Sequence, residues 1–363
     1  MNKVKIGIIG CGNISSVYMQ NIPNFNHLSL AACADLDVNR ARAQAEKYQI
    51  PKAYSVQELL DDPDIDLVIN LTIPKAHAEV CIQALKAGKH VYVEKPLAIS
   101  REEAQGILDV AAGEGLLIGG APDTFLGAGI QTALDLIENG EIGVPIGASA
   151  FMIGRGHEHW HPDPIFYYKK GGGPMFDMGP YYLTALIALL GPIKRIAGSV
   201  RASYAERTIL SEPKSGEKIT VDIPTHISGT IDFASGAIGS ITTSFDAFGG
   251  SSLPPIEIYG SEGTLLVPDP NHFGGSVKLR KKDELEFIDI PSTHQFCGND
   301  RGLGVADMAA AILNKHKYRA NGDLAFHVLE AMHGFHDASE SGKYYQMESS
   351  CEKPEPFPKE NQF

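Results

Sequence analysis

Hydrophobic residues follow two different rhythms along this chain, and the change of rhythm divides it. Up to residue 118, short strand-like runs rich in apolar residues recur at Val4–Ile9, Leu28–Ala34, Leu67–Leu71, His90–Val93 and Leu116–Ile118. Helical segments lie between them: Asn13–Ile22, stopped before Pro23; the Ala-rich Val38–Tyr48; a short helix after Ser55; Lys75–Ala87, with Gly88 beyond its end; and Arg101–Ala112. Ser55 with Glu58, and Ser100 with Glu103, match the capping box, in which each side chain satisfies an orphan N–H of the first turn. Strands regularly interleaved with helices predict a parallel sheet covered on both faces.

Beyond residue 123 the pattern changes to strand pairs. Thr225–Phe233 and Ala237–Phe245 flank Ser235-Gly236. Ile256–Tyr259 and Thr264–Val267 flank Gly260–Gly263, and Val277–Arg280 and Leu285–Ile290 flank Lys282-Asp283. Such hairpins predict a mainly antiparallel sheet, with helices only near 129–139, 180–190 and 304–314. A sheet with so few helices keeps one face open, expected here to be apolar and to pair with another subunit. The expected division is therefore 1–122 and 123–363, parting where apolar strand gives way to Pro122-Asp123.

Composition narrows the function. With 31 Lys+Arg against 44 Asp+Glu the formal charge is −13, which repels phosphate backbones and argues against nucleic-acid binding. A small neutral substrate suits it better. The five cysteines are dispersed without a CxxC pair, which favours thiols in a reducing cytoplasm over disulfides or a zinc ribbon. No segment approaches the ~20 apolar residues of a membrane span, and Ile6–Ile9 is too short for a signal sequence. The tail Glu352–Phe363, rich in Pro, Lys and Glu, is expected to be exposed.

The chemistry begins at Gly10-Cys11-Gly12-Asn13-Ile14-Ser15, which follows a strand and opens a helix. This is the dinucleotide pattern GxGxxG with Ser in the third place: the first Gly makes the tight turn, the second admits a pyrophosphate, and helix N–H groups bind it. Asp35 ends the next strand, where a carboxylate accepts from the adenosine ribose hydroxyls and repels a 2′-phosphate. NAD is thus expected rather than NADP, and Arg40 is the nearest group that can receive such a phosphate. Thr72-Ile73-Pro74 ends the fourth strand at the crevice where ligands lie in this architecture. His77 follows, with contact to cofactor or substrate and a plain surface position both open.

Further on, Lys95 in Glu94-Lys95-Pro96 lies directly after an apolar strand, so it faces either a cleft or solvent. The run Gly171–Gly173 leads through Pro174-Met175-Phe176-Asp177-Met178-Gly179-Pro180 into the apolar Tyr181–Leu190. Pro180 suits the first turn of a buried helix, with Asp177 and Tyr181 at its mouth as either cap or catalytic pair. Before the run stands His157-Glu158-His159-Trp160-His161. Spacing alone does not make the three histidines a metal site, and no metal is expected. Trp160, the only Trp, suits stacking on a sugar face, with His161 hydrogen-bonding; packing of Trp160 between domains is the other reading.

On Gly10–Ser15, Thr72-Ile73-Pro74 with His77, Glu94-Lys95-Pro96 and the Gly-rich run into Tyr181, the whole chain resembles the Gfo/Idh/MocA oxidoreductases. The resemblance implies a Rossmann domain plus an α+β domain with an open-faced sheet, assembled as a homodimer or homotetramer. It places the cofactor on Gly10, Gly12, Asn13, Ile14, Asp35, Thr72, Pro74, His77, Glu94 and Lys95. It also implies a catalytic set of Lys95, Asp177 and Tyr181, with Trp160 and His161 beside the substrate, and a cis Lys95–Pro96 bond. The reaction implied is hydride transfer between nicotinamide and a secondary alcohol or ketone of a sugar, sugar derivative or glycoside. Many members carry His where this chain has Tyr181; glucose–fructose oxidoreductase carries Tyr. Tyr181 is then the proton acceptor, with Lys95 favouring its phenolate, or Lys95 accepts and Tyr181 orients. Glycoside cleavage by transient oxidation with NAD retained, and a non-catalytic NAD-binding regulator, are the competing functions; retention of Lys95, Asp177 and Tyr181 together argues against the latter.

Overall fold

The computed structural model describes residues 3–314 and 316–359. In chain order the elements are β1 Val4–Ile9, α1 Ser15–Asn21, β2 Leu28–Ala34, α2 Val38–Tyr48, β3 Lys52–Tyr54, α3 Val56–Asp61, β4 Leu67–Asn70, α4 His77–Lys86, β5 His90–Val93, α5 Arg101–Glu114, β6 Ile118–Gly120, α6 Ala128–Glu138 and β7 Pro145–Ile153. Then come α7 Pro174–Leu190, β8 Ile193–Arg201, β9 Glu206–Thr208, β10 Lys218–Thr220, β11 His226–Phe233, β12 Ile238–Ser244, β13 Ile256–Gly260, β14 Gly263–Val267, β15 Val277–Lys281, β16 Ile288–Ile290, α8 Leu303–Asn314, α9 Gly322–Ser341 and β17 Tyr345–Gln346.

These form two compact units. The first holds residues 3–126 with 298–314 and 316–326; the second holds Gly127–Cys297 and His327–Lys359. A single boundary near residue 122 therefore does not describe the chain, because a C-terminal segment containing α8 returns to the first unit. Asp123 accounts for part of that return: its Oδ2 accepts the Gly302 and Gly304 N–H groups at 2.9 and 3.0 Å, at the start of α8.

In the first unit a parallel sheet runs β3-β2-β1-β4-β5-β6. Its order reverses between β1 and β4, which leaves a crevice at the strand ends. The mostly apolar central strands β1, β4 and β5 are largely buried because helices cover both faces, and both capping boxes form as the sequence predicts. Pro23 does not simply stop a helix. It sits inside a 3-10 turn over Ile22–Asn24, where its missing N–H costs nothing. The last strand lies two residues later than its hydrophobicity suggests, because Gly119 and Gly120 complete the pairing with β5.

The second unit holds a nine-stranded sheet, order β16-β15-β14-β13-β7-β12-β11-β8-β17, and a β9–β10 ribbon. Only β7–β12 is a parallel pair in the large sheet. α6 and α7 pack on one face, over buried Ile227, Ile231, Ile241, Ile258, Leu265 and Leu279. The open face corrects the apolar expectation. Ser149, Ser228, Thr230, Ser240 and Thr242 share it by register, and its hydroxyls bond to one another, as in Tyr259 Oη to Ser149 Oγ at 3.1 Å.

The tail is also not exposed along its length. Phe357 is buried, its N–H donates to Gln131 Oε1 at 2.7 Å, and Lys359 pairs with Asp135 at 2.7 Å. Residues 360–363 of that tail lie outside the described residues. Among the described residues no helix is long and apolar enough to cross a membrane.

Asp123 generates a test of the fold. Its side chain is 1% exposed. Burial outweighs the two N–H donors and pushes its carboxyl up to about 6. Since an unfolded Asp titrates near ~4, the native state holds a proton that the unfolded chain has lost between these values. Stability from this group is therefore full at low pH, falls as pH rises toward 6 and stays lost above it, by up to about 3 kcal/mol. Asp123→Asn keeps the acceptor without the proton. Urea unfolding from pH 4 to 7 should show the mutant losing less stability than the native protein; parallel curves would remove Asp123 as the cause.

Candidate active site

Three backbone segments build the crevice of the first unit. Gly10 follows β1 with φ 101°, and a Cβ there would stand 2.7 Å from the Leu71 carbonyl. The loop thus passes against the residue after β4 so closely that only Gly fits. Gly12 contrasts with it: a Cβ there would meet nothing within 4 Å, so its backbone faces open space that a phosphate group can enter. Ser15, in the third glycine place, is buried and turns its hydroxyl onto the Gly12 carbonyl at 2.6 Å. Asn13 and Ile14 lie between, exposed at the start of α1.

Asp35 is locked to the same loop. Its Oδ2 accepts the Cys11 N–H at 2.8 Å and its Oδ1 the Asp37 N–H at 3.0 Å, while Arg40, in the first turn of α2, stands 3.5 Å away. Each carboxylate oxygen has two acceptor positions, so these bonds orient Asp35 and still allow it to take ribose hydroxyls. The residues present therefore fit a dinucleotide: open backbone at Gly12, a carboxylate at the end of β2, and exposed Ile73 beside the crevice.

The turn after β4 is organised by Asn70, which the sequence reading passes over. Its Oδ1 accepts from Thr72 N and Oγ1 at 3.2 and 2.7 Å, and its Nδ2 donates to the His77 carbonyl at 3.1 Å. His77 is corrected. It is 1% exposed and so does not lie at the surface, with Nδ1 2.7 Å from the Pro96 carbonyl and Nε2 3.0 Å from the Thr72 carbonyl. Burial lowers its pKa while the two carbonyls oppose that shift, and the ring stands between the Thr72–Pro74 turn and the Glu94–Pro96 turn.

The latter turn has its own anchor. The Lys95–Pro96 bond is cis. Glu94 is buried, accepting the Tyr18 hydroxyl at 2.9 Å on Oε1 and the Lys95 N–H at 3.0 Å on Oε2. Burial, and then the Glu94 charge, hold the Tyr18 phenol well above its ordinary range. Glu94 thus fixes the backbone from which Lys95 projects.

In the second unit α7 starts at Pro174 rather than Pro180. Pro174 takes the first-turn position. Pro180 lies inside, where it lacks an N–H for the Phe176 carbonyl. Asp177 consequently sits in the first turn and Tyr181 one turn on, which puts both on one face. Gly173, with φ 89°, reaches this helix through a turn whose Gly172 lies against the Phe166–Tyr167 backbone.

The histidine-rich loop separates its three rings. His157 Nε2 lies 3.0 Å from Asp177 Oδ2. His161 Nδ1 accepts the Asp163 N–H at 3.1 Å, and burial lowers its pKa. His159 Nδ1 is buried without a hydrogen-bond partner. Among the described residues no group of three His, Cys, Asp or Glu can hold a metal. Trp160 is 55% exposed and stands edge-on to His157 and His161 at 5.4 and 5.2 Å.

The first unit thus carries a dinucleotide crevice of Rossmann type on a parallel sheet, and the second carries a carboxylate and a phenol on one helix face. The family models agree. Residues 4–119 match "Oxidoreductase family, NAD-binding Rossmann fold" and residues 130–266 match "GFO/IDH/MocA C-terminal domain". The chain belongs to the Gfo/Idh/MocA family and is an oxidoreductase acting on CH–OH groups. It is 26% identical over 265 residues to a myo-inositol 2-dehydrogenase of Thermotoga maritima, covering 73% of this chain and 75% of that one. It is 28% identical over 267 residues to a 1,5-anhydro-D-fructose reductase of Ensifer adhaerens, covering 72% and 74%. The fold matches that of levoglucosan dehydrogenase in complex with NADH with a TM-score of 0.81, at 21% identity over 95% of this chain and 99% of that one.

The two loop glycines separate fold from cofactor. Gly10→Ala forces a collision with backbone at positive φ and should cost more than about 2 kcal/mol of stability in urea unfolding. Gly12→Ala enters open space and should leave stability within about 0.5 kcal/mol. It should still weaken NAD binding, measured by calorimetry, at least about ten-fold, because its methyl occupies the pyrophosphate's approach. Unchanged NAD affinity in Gly12→Ala would show that the phosphates lie elsewhere.

Proposed function

We propose that the protein is an NAD-preferring dehydrogenase or reductase of a secondary alcohol or ketone in a sugar, sugar derivative or glycoside. The observation that carries this reading is the Asp177–Tyr181 face of α7, with the Trp160–His161 loop tied to it through His157. A carboxylate and a phenol on one face can grip adjacent hydroxyls, and an exposed indole suits the apolar face of a sugar ring. The relatives named for inositol and anhydrofructose support the substrate class.

When bound, the nicotinamide accepts or donates the hydride. The protein's task is to place the substrate oxygen and move its proton. In the family arrangement Lys95 hydrogen-bonds that oxygen, Asp177 accepts a bond from a neighbouring hydroxyl, and Tyr181 takes the proton during oxidation or returns it during reduction. Trp160 and His161 hold the rest of the molecule. Pairing Lys95 with Tyr181 rests on family membership.

Tyr181→Phe removes one oxygen and little volume. With a substrate found by screening sugars, glycosides and inositols with NAD, turnover should fall about 100-fold or more while NAD affinity is unchanged. Near-normal turnover with an unaltered pH–rate profile would transfer the proton to Lys95.

Cofactor choice follows from Asp35. A 2′-phosphate there meets a carboxylate already oriented by the Cys11 N–H, and Arg40, a nearby cation that could offset it, is engaged with that carboxylate. The dissociation constant for NAD should be at least about ten-fold below that for NADP. Equal or tighter NADP binding refutes the preference.

A further inference from the structure

We propose that His157 is a positioning residue of this active site: through its Nε2–H it holds the Asp177 carboxylate in the orientation that receives substrate. The inference rests on the reading of Asp177 as a substrate-binding group. An ionised carboxylate can only accept a hydrogen bond, so the 3.0 Å contact between His157 Nε2 and Asp177 Oδ2 places the ring proton on Nε2. Charge-assisted bonds of this kind are among the stronger ones and fix direction as well as distance. Both side chains are largely withdrawn from solvent, with 18% and 15% exposed, so water competes weakly for the contact.

The loop is built to present this ring. Gly156 has φ 87°, and a side chain there would collide with the Tyr168 hydroxyl and the Glu158 carboxylate. The next residue but one, Glu158, is tied to the buried Arg207 and to Tyr168 Oη. Its carbonyl accepts the Leu210 and Ser211 N–H groups at 2.8 and 3.1 Å. The backbone is thus pinned on both sides of His157. Its ring is further walled by Tyr167 at 4.0 Å and Phe245 at 4.7 Å. A histidine held this firmly, on a different segment from the carboxylate it meets, supplies Asp177 with an imidazole. Position 181, one turn beyond Asp177, does not supply one in this chain.

A mere packing role for His157 predicts the opposite order of mutants from a positioning role. His157→Phe keeps an aromatic ring among Tyr167, Phe245 and Trp160 and removes the donor. His157→Gln loses the ring but retains an N–H that can reach the carboxylate. If His157 positions Asp177, Phe should raise KM about ten-fold or more with a smaller loss of kcat and unchanged NAD affinity, and Gln should recover KM to within about three-fold of native. A tolerated Phe with an impaired Gln, or two native-like variants, overturns the proposal. Nitrogen-15 NMR of the ring, which needs no substrate, decides the case in which both variants are impaired. A proton on Nε2 in the native protein, no longer favoured in Asp177→Ala, sustains the pairing, and its absence refutes it. Should the native protein turn over no sugar or polyol with NAD while that signature is present, the assigned function fails and the His157–Asp177 contact stands.

Discussion

A single buried cation organises the second unit. Arg207, on the small β9–β10 ribbon, has 3% of its side chain exposed and binds the Glu158 carboxylate, Asp246 Oδ1 at 2.9 Å, and the carbonyls of Arg155 and Phe245. Tyr168, Tyr204 and Phe248 present ring faces to it at 5.4, 5.4 and 5.0 Å. A guanidinium out of water is tolerated only where its donors are met in the fork geometry it imposes. Those partners come from the histidine loop and from the segment just after β12, so satisfying one charge fixes both to β9. The placement of His157 and Trp160 follows from it. Losing one member of such a pair commonly costs about 3–5 kcal/mol, because the other is left charged and buried.

The first unit solves a similar problem without a buried guanidinium. Gly10 lets two backbone turns touch; Asn70 folds the segment after β4; His77 ties that segment to the Glu94–Pro96 turn; Glu94, itself held by Tyr18, receives the Lys95 N–H. Asn70, His77 and Glu94 each bond to backbone, and each is buried. The turns that line the crevice thereby have their shape set by a layer beneath them, the usual route to a pre-organised site.

Much of the first unit was legible because continuous apolar strands, capping boxes and the glycine loop are local signals. Strands β7 and β8 escaped because Gly, Ser, Lys and Arg interrupt them and their apolar positions pack against distant partners. Helix α9 escaped because His327, Glu330, His333, His336 and Asp337 break its apolar stripe. Pro180 misled because a proline rule that holds for first turns was applied where Pro174 already filled that place. In the site, the glycine loop, Asp35, Asp177 and Tyr181 carry recognisable spacing. Arg207, Asn70 and the His157–Asp177 contact carry none, since each is defined by a partner remote in sequence or by a backbone group. The single signal that pointed toward His157 was its place in the histidine alternation, which spacing alone left without a partner.

The parallel β7–β12 pair has a consequence for how the chain emerges from the ribosome. Residues 145–153 must wait for residues 238–244 on one side and 256–260 on the other before the centre of the large sheet can pair. The segment that completes the first unit, 298–326, is made later still. Neither unit can therefore finish folding on a nascent chain shorter than most of its length, and contacts so distant in sequence slow closure. The β1–β6 sheet can assemble early, leaving Asp123 without its Gly302 and Gly304 donors until α8 arrives. A translation pause or truncation before residue 303 would thus hold the first unit in an incomplete state, with a carboxyl awaiting the helix it caps.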